Sequence, residues 1–419
     1  MKVFKFGGAS VKDAAAVRNV AEIVKLYADE KLVVVVSAMG KTTNALEKLT
    51  RAHYHHDGDV NALLQELKDF HYSMIEELFQ VPHPTLLRDI ETSLIEIDWA
   101  MEEDNTKGFD YLYDQVVSQG ELLATKIVAA YLQSASIPAL WLDARDFIKT
   151  DNNYREAKID WVQTVEFSQT VITKSFLAVD VIITQGFIGS TSENHTTTLG
   201  REGSDYSAAI IAFAMDAESV SIWKDVPGVL NADPKQFSDT QKLDAISYQD
   251  AIELAYFGAS VIHPKTIQPL QNKDIPLHVK SFINPKETGT LIASGIMNME
   301  TIPSYIVKSN QVLISISAKD FSFIVEENLS TIFNVFALHK VKINLMQNSA
   351  ISFSICVDNG DKIRGLILAL RVEFNVKYNK DLLLYTIRHY NQSTLDKLTA
   401  TKEILLEQKS RHTVQLVVK

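Results

Sequence analysis

Residues 32–36 read Leu-Val-Val-Val-Val, five apolar side chains in a row between Lys31 and Ser37. A half-buried strand alternates apolar and polar residues, so an unbroken β-branched run predicts a strand covered on both faces. Helices flanking a parallel sheet provide that cover, and the neighbouring sequence supplies them. Residues 3–6 form a second strand, followed by helical periodicity over 13–28. Residues 41–134 are mostly helical, with breaks at Asp57-Gly58, Val81-Pro-His-Pro84 and Gly108. Strand patterns return at 138–142, 179–185, 219–223 and 276–281. This alternation predicts an α/β three-layer sandwich around a mainly parallel sheet.

Beyond about residue 300 the rhythm changes. Residues 311–317 alternate with period two. A helix is predicted over 328–339, strands over 341–348 and 350–357, and a helix over 362–373. A strand at 382–387, a helix over 394–409 and a strand at 413–418 complete the pattern. This order resembles the split βαβ units of small-molecule sensor domains, with a partial second copy. The joint at 285–303 contains Gly289, Gly295 and two prolines. The expected domains are therefore 1–295, 303–380 and a shortened unit at 381–419.

Composition narrows the functional classes. The 419 residues carry 41 Lys and Arg against 52 Asp and Glu, a formal charge of -11. Such a chain has no surplus positive charge for a nucleic-acid backbone or an anionic membrane. The single cysteine, Cys356, excludes an intrachain disulfide and a multi-cysteine metal site, and its apolar setting predicts a buried thiol. No apolar stretch approaches the roughly 18 residues of a membrane span. The N-terminus enters a strand at once, without a signal h-region. The expectation is a soluble, cytoplasmic protein with neither nucleic-acid nor membrane partner.

Five segments carry chemistry. The first strand ends in Lys5-Phe-Gly-Gly-Ala-Ser10, where Gly7 and Gly8 let backbone N–H groups approach an anion and Lys5 adds an ammonium. The spacing is neither a Walker loop nor a dinucleotide fingerprint. Leu199-Gly-Arg-Glu-Gly-Ser-Asp-Tyr-Ser207 opens a helix with Arg201, suited to gripping a carboxylate or phosphate, and with Asp205. Asp205 is placed to orient Lys5 or to hold magnesium; first-turn helix stabilisation is its structural alternative. Trp223-Lys-Asp-Val-Pro-Gly228 and the continuation to Lys235 form a turn-rich segment whose Lys224, Asp225 and Lys235 suit a nucleotide. Ser37-Ala-Met-Gly-Lys-Thr-Thr-Asn44 leaves a buried strand for a helix, where ligand loops gather in α/β sheets. Glu121, in Ser118-Gln-Gly-Glu121, begins another helix.

Together with Tyr256-Phe-Gly-Ala-Ser-Val-Ile-His-Pro264, these segments occur in the order found in aspartate kinases. The chain resembles the monofunctional aspartokinases of the amino acid kinase family over essentially its whole length. The resemblance implies the amino acid kinase fold with C-terminal ferredoxin-like ACT domains. It implies transfer of the ATP γ-phosphoryl group to L-aspartate, with Mg²⁺, giving 4-phospho-L-aspartate, the first step towards lysine, threonine and methionine. Lys5 is then expected at the phosphoryl group in flight, with Asp205 organising that lysine and the magnesium. Ser37, Thr43, Glu121 and Arg201 are expected around aspartate, Glu121 at its α-ammonium and Arg201 at its α-carboxylate. Gly7, Gly8, Lys224, Asp225, Leu230, Lys235, Ser260 and Val261 are expected around the nucleotide.

Three positions depart from the family pattern: Ala9 replaces a usual Thr, Glu202 a usual Gly, and Ser260 a lysine found in several relatives. Lys224 or Lys265 is expected to restore that last charge. Kinases of glutamate or N-acetylglutamate share the phosphate loops but not the Gln-Gly-Glu and Tyr-Phe-Gly-Ala motifs. A catalytically weakened amino-acid sensor on the same scaffold is the alternative of a different class. A fusion to homoserine dehydrogenase is not expected at this length. The resemblance also implies a homodimer or higher oligomer through the ACT domains, and an amino-acid effector near Asn344, Gln347, Asn348 and Ser349. Asn344 stands where lysine-sensitive relatives tend to have an aspartate, so weak or absent lysine inhibition is expected.

Overall fold

The computed structural model describes residues 1–103, 105–259, 262–296, 302–320, 322–400 and 402–419. By contacts the chain divides into two units. One comprises Met1–Val229, Lys242–Ile252 and Ile262–Met297, the other Leu230–Gln241, Glu253–Val261 and Asn298–Lys419. Two short segments from within the first 295 residues thus belong with the C-terminal unit. Ser260 and Val261, expected at the nucleotide, lie outside the described residues.

The first unit is built on β1 (Lys2–Phe6), β2 (Leu32–Val36), β3 (Ala139–Trp141) and β4 (Val181–Gln185). A small hairpin of β5 (Ile188–Ser190) and β6 (Thr196–Thr198) follows. Then come β7 (Ser219–Lys224), β8 (Ala245–Ser247), β9 (Leu277–Ser281) and β10 (Thr290–Ala293). Among the described residues the main sheet has the order β3-β4-β2-β1-β7-β9-β10-β8. All neighbours run parallel except the β9–β10 pair. All five residues of β2 are fully buried, as an unbroken apolar run requires.

The helices are α1 (Ala14–Lys25), α2 (Thr42–His55), α3 (Val60–Leu78), α4 (Pro84–Glu102), α5 (Phe109–Val117) and α6 (Gln119–Ser134). After β3 come α7 (Trp161–Ser175), α8 (Gly203–Ala214), α9 (Tyr248–Phe257) and α10 (Pro264–Asn272). Because successive strand residues point to opposite faces, Phe4, Phe6, Val34 and Ile183 join a core with α1 to α6. The odd residues of β1, Lys5 among them, face the other side, where α8 packs on β1, β2 and β7 with α7 and α10 beside it. Each buried Val, Leu or Phe contributes roughly 1.5–3 kcal/mol. The outcome is the expected three-layer sandwich.

The C-terminal unit contains β11 (Ser304–Ala318), α11 (Glu326–Leu338), β12 (Ile343–Asn348), β13 (Phe353–Asp358) and α12 (Lys362–Leu370). It continues with β14 (Phe374–Arg388), α13 (Gln392–Thr399), β15 (Ile404–Lys409) and β16 (Thr413–Val418). The sheet order is β12-β13-β11-β14-β16-β15, antiparallel throughout. Two expectations need correction. The predicted helix over 394–409 ends at Thr399, and Ile404–Lys409 is an edge strand on β16. Residues 381–419 are also not left on their own: Ser304–Lys308, the start of β11, pairs with Leu384–Arg388. Beyond a bulge between Lys308 and Gln311, the rest of β11 pairs with β13 and the first half of β14. Cys356 is fully buried, and burial pushes its thiol up to about 12.

Candidate active site

The parallel strands β4, β2, β1 and β7 end along one edge of the sheet, where ligands bind in open α/β folds. A cavity of about 940 Å³ opens there. Lys5 is the penultimate residue of β1, Ser37 follows β2, Phe187 lies two residues beyond β4 and Lys224 closes β7, and all four line it. The first turns of three helices complete the wall: Thr43 and Asn44 of α2, Glu121 of α6, and Gly203, Ser204 and Asp205 of α8. Helix N-termini carry partial positive charge, so this grouping favours anions.

Asp205 is the charge centre. One of its oxygens lies 2.6 Å from Lys5 Nζ and the other 3.7 Å from Lys224 Nζ. Burial alone would raise its carboxyl, but Lys5 and then Lys224 outweigh that and hold it below the usual carboxylate range. The sheet brings both lysines together: they lie at the ends of neighbouring parallel strands, with Phe6 opposite Trp223 in register. Gly8 keeps this corner closed. A Cβ there would stand 2.8 Å from the Ala38 carbonyl, and its own carbonyl accepts the Gly40 N–H at 3.0 Å. Gly7 lies beside the Lys5 ammonium, 3.3 Å from where its Cβ would be.

Glu121 is buried on α6. Its Oε1 accepts the Ala38 N–H at 3.2 Å, while Oε2 is buried without a hydrogen-bond partner among the described residues. Burial pushes its carboxyl up to about 8, only partly opposed by the Ala38 N–H and the charge of Lys5. An orphaned buried carboxylate oxygen facing a cavity is a ready partner for a cation. Arg201, by contrast, is exposed at the cavity wall and forms no ion pair among the described residues. Cation-seeking and anion-seeking groups therefore sit in one hollow with the Lys5–Asp205 pair.

The cavity thus brings together Lys5, Ser37, Thr43, Glu121, Arg201, Asp205 and Lys224. Asp225 is exposed and does not line it; Leu230 and Lys235 belong to the C-terminal unit. Lys224 lines the cavity and Lys265 does not. Sequence reasoning missed Asp110, Tyr113 and Arg155, which also line it. It also missed the buried Asp114, which accepts the backbone N–H groups of Arg155 and Thr198 at 2.9 and 2.8 Å. Burial raises Asp114 to about 6 against those hydrogen bonds. No motif marks these residues, because they meet only through α5 and the loop before α7. Among the described residues no cluster of three His, Cys, Asp or Glu is arranged to hold a metal, and no helix is long and apolar enough to cross a membrane.

Comparison with known proteins agrees with this geometry. Residues 1–281 match the amino acid kinase family. The lysine-sensitive aspartokinase 3 of Escherichia coli K12 is 32% identical over 394 residues, covering 92% of this chain and 86% of the relative. The chain belongs to the aspartokinases of the amino acid kinase family. Two crystal structures of E. coli aspartokinase III, each 28% identical, cover all of this chain and 96% of theirs. The complex with lysine and aspartate (T-state) superposes with a TM-score of 0.84, and the complex with aspartate and ADP (R-state) with 0.80.

Proposed function

We propose that the cavity is where this aspartate kinase transfers the γ-phosphoryl group of ATP to the side-chain carboxylate of L-aspartate. The products are ADP and 4-phospho-L-aspartate, and the reaction opens synthesis of the aspartate-derived amino acids. The observation that carries the site assignment is the placing of Glu121 and Arg201 in one cavity with the Lys5–Asp205 pair. Glu121 receives the α-ammonium and Arg201 the α-carboxylate, leaving the side-chain carboxylate for the lysines. Ser37 and Thr43 hold the acceptor from β2 and the start of α2.

That carboxylate is ionised at pH 7, so the reaction needs no general base. The barrier comes from bringing two anions together and from charge spreading over the transferring phosphoryl group. Lys5 and Lys224 neutralise that charge, and Asp205 fixes both ammonium groups beforehand, so little reorganisation remains. Lys224 takes over the charge missing at Ser260, since it and not Lys265 lines the cavity. Asp205 is the carboxylate that would hold the Mg²⁺ of MgATP, which would supply further neutralisation of the phosphate charge. Gly7, Gly8 and Asp225 are the proposed nucleotide contacts of this unit. The proposed setting is cytoplasmic, with an amino-acid effector and a homo-oligomer formed through the C-terminal unit.

Hydroxylamine trapping tests the reading: aspartate, ATP and Mg²⁺ together should yield an aspartyl hydroxamate, and glutamate or N-acetylglutamate should not. Lys5→Ala should lower kcat far more than it raises KM, because its charge matters most in the transition state. A near-normal kcat in that variant removes Lys5 from the chemistry, and an absent hydroxamate from the wild type removes the function.

A further inference from the structure

Arg155 sits in a conformation that an arginine adopts only under constraint. Its φ is +69°, in the left-handed region where a side chain is strained. What holds it there is buried. The backbone N–H donates to Asp114 Oδ2 at 2.9 Å, and Asp114, with no exposed surface, also accepts the Thr198 N–H at 2.8 Å and hydroxyl at 2.7 Å. The Arg155 carbonyl meets the turn that carries Arg201: a Cβ on Gly200 would stand 3.1 Å from it. The two arginines therefore ride on touching loops, and both line the cavity.

The guanidinium is directed as firmly as the backbone. It lies over the Tyr113 ring, 4.4 Å from its centroid, and Nη1 pairs with Asp110 Oδ1 at 3.2 Å. That ion pair is open to water, with the Arg155 side chain 39% exposed and Asp110 63% exposed. An exposed pair of this kind is weak and easily exchanged. A strained arginine, fixed by a fully hydrogen-bonded buried carboxylate and paired, among the described residues, only with a weak surface partner, is poised to take a better anion from the cavity.

We propose that Arg155 is a second binding residue for the acceptor, leaving Asp110 to share the α-carboxylate of aspartate with Arg201. The inference rests on the aspartate reading of the cavity. Asp110 then acts as a competitor that the substrate displaces, and Tyr113 keeps the guanidinium in plane during the exchange.

Steady-state kinetics on wild type, Arg155→Gly, Arg155→Lys and Asp110→Asn test it. Glycine suits the left-handed backbone, so Arg155→Gly should fold at least as well as wild type. It should raise the KM for aspartate about ten-fold, with the loss in KM rather than kcat and the KM for ATP unaffected. Arg155→Lys should fall between, since an ammonium cannot reproduce the fork. Asp110→Asn should lower the aspartate KM, and this gain should vanish in the double variant with Arg155→Gly. With L-aspartate α-amide as acceptor, Arg155→Gly should change nothing. A normal aspartate KM in Arg155→Gly, an unchanged or raised one in Asp110→Asn, or an equal loss with the amide overturns the inference. A wild type that makes no acyl phosphate from aspartate instead overturns the functional reading, and this inference with it.

Discussion

Glu121 shows how one buried side chain sets a pH dependence. With its carboxyl raised to about 8, it is mostly protonated at pH 7 in the empty cavity. An arriving α-ammonium favours the ionised form and lowers that value again, so binding expels a proton. The sign is fixed by this order: aspartate affinity rises with pH below about 8, by up to about ten-fold per pH unit, and levels off above it. Calorimetry between pH 6 and 9 in buffers of different ionisation enthalpy should show both the slope and the released proton. Glu121→Gln should bind more weakly and lose the slope; a flat wild-type profile would detach Glu121 from the ammonium. Its place at the cavity was legible from Gln-Gly-Glu at a helix start. The raised carboxyl was not, because burial depends on α6 packing across β2 and β4.

At the scale of elements, α8 begins on a residue that its sequence makes conspicuous. Glu202, where the family pattern suggests glycine, is the N-cap of the helix at φ +55°. A left-handed non-glycine residue costs roughly 1–2 kcal/mol, offset in part by the lower entropy of its unfolded chain. Glu202→Gly should therefore stabilise the first unit by about 1 kcal/mol, seen as a higher urea midpoint at unchanged slope. A lower midpoint would mean that the Glu202 side chain contributes more than its backbone strain costs. The missed strand β15 teaches a related lesson. Residues 402–409, Lys-Glu-Ile-Leu-Leu-Glu-Gln-Lys, suit a helix by composition, yet pairing with β16 makes Ile404–Lys409 an edge strand. Local propensity lost to a hairpin partner, Thr413–Val418, which periodicity within the segment could not reveal.

For the molecule as a whole, the C-terminal unit bears on regulation. Asn344 is not waiting for an effector: it accepts from Lys308 Nζ at 2.9 Å and donates to Gln311 at 2.9 Å and Asp358 at 3.0 Å. The hollow beside it, of about 10 Å³, has room for no more than about one water and is lined by Lys308 and Lys342. A lysine effector would meet two like charges there. Gln347, Asn348 and Ser349 are exposed on and just after the edge strand β12. Lysine alone should therefore inhibit weakly or not at all, with threonine or a lysine–threonine pair as lesser candidates, since an effector must prefer the inactive state to act. Activity at saturating ATP across these amino acids decides it, and strong inhibition by sub-millimolar lysine would reverse the reading.

The amino-acid sequence by itself determined the layered α/β architecture, because a run such as Leu32–Val36 has one stable environment, and it named Lys5, Glu121, Arg201 and Asp205, because they stand in local motifs at strand ends and helix starts. Only the tertiary structure decided that Lys224 rather than Lys265 reaches the cavity, and that Asp114 holds Arg155 against its own backbone preference. It also decided that the two ends of the C-terminal unit share the long strands β11 and β14. These outcomes depend on side chains separated by tens of residues meeting at fixed distances. Charge, burial and hydrogen bonding act through space, and the chain order records them only where neighbours in sequence are also neighbours in the fold.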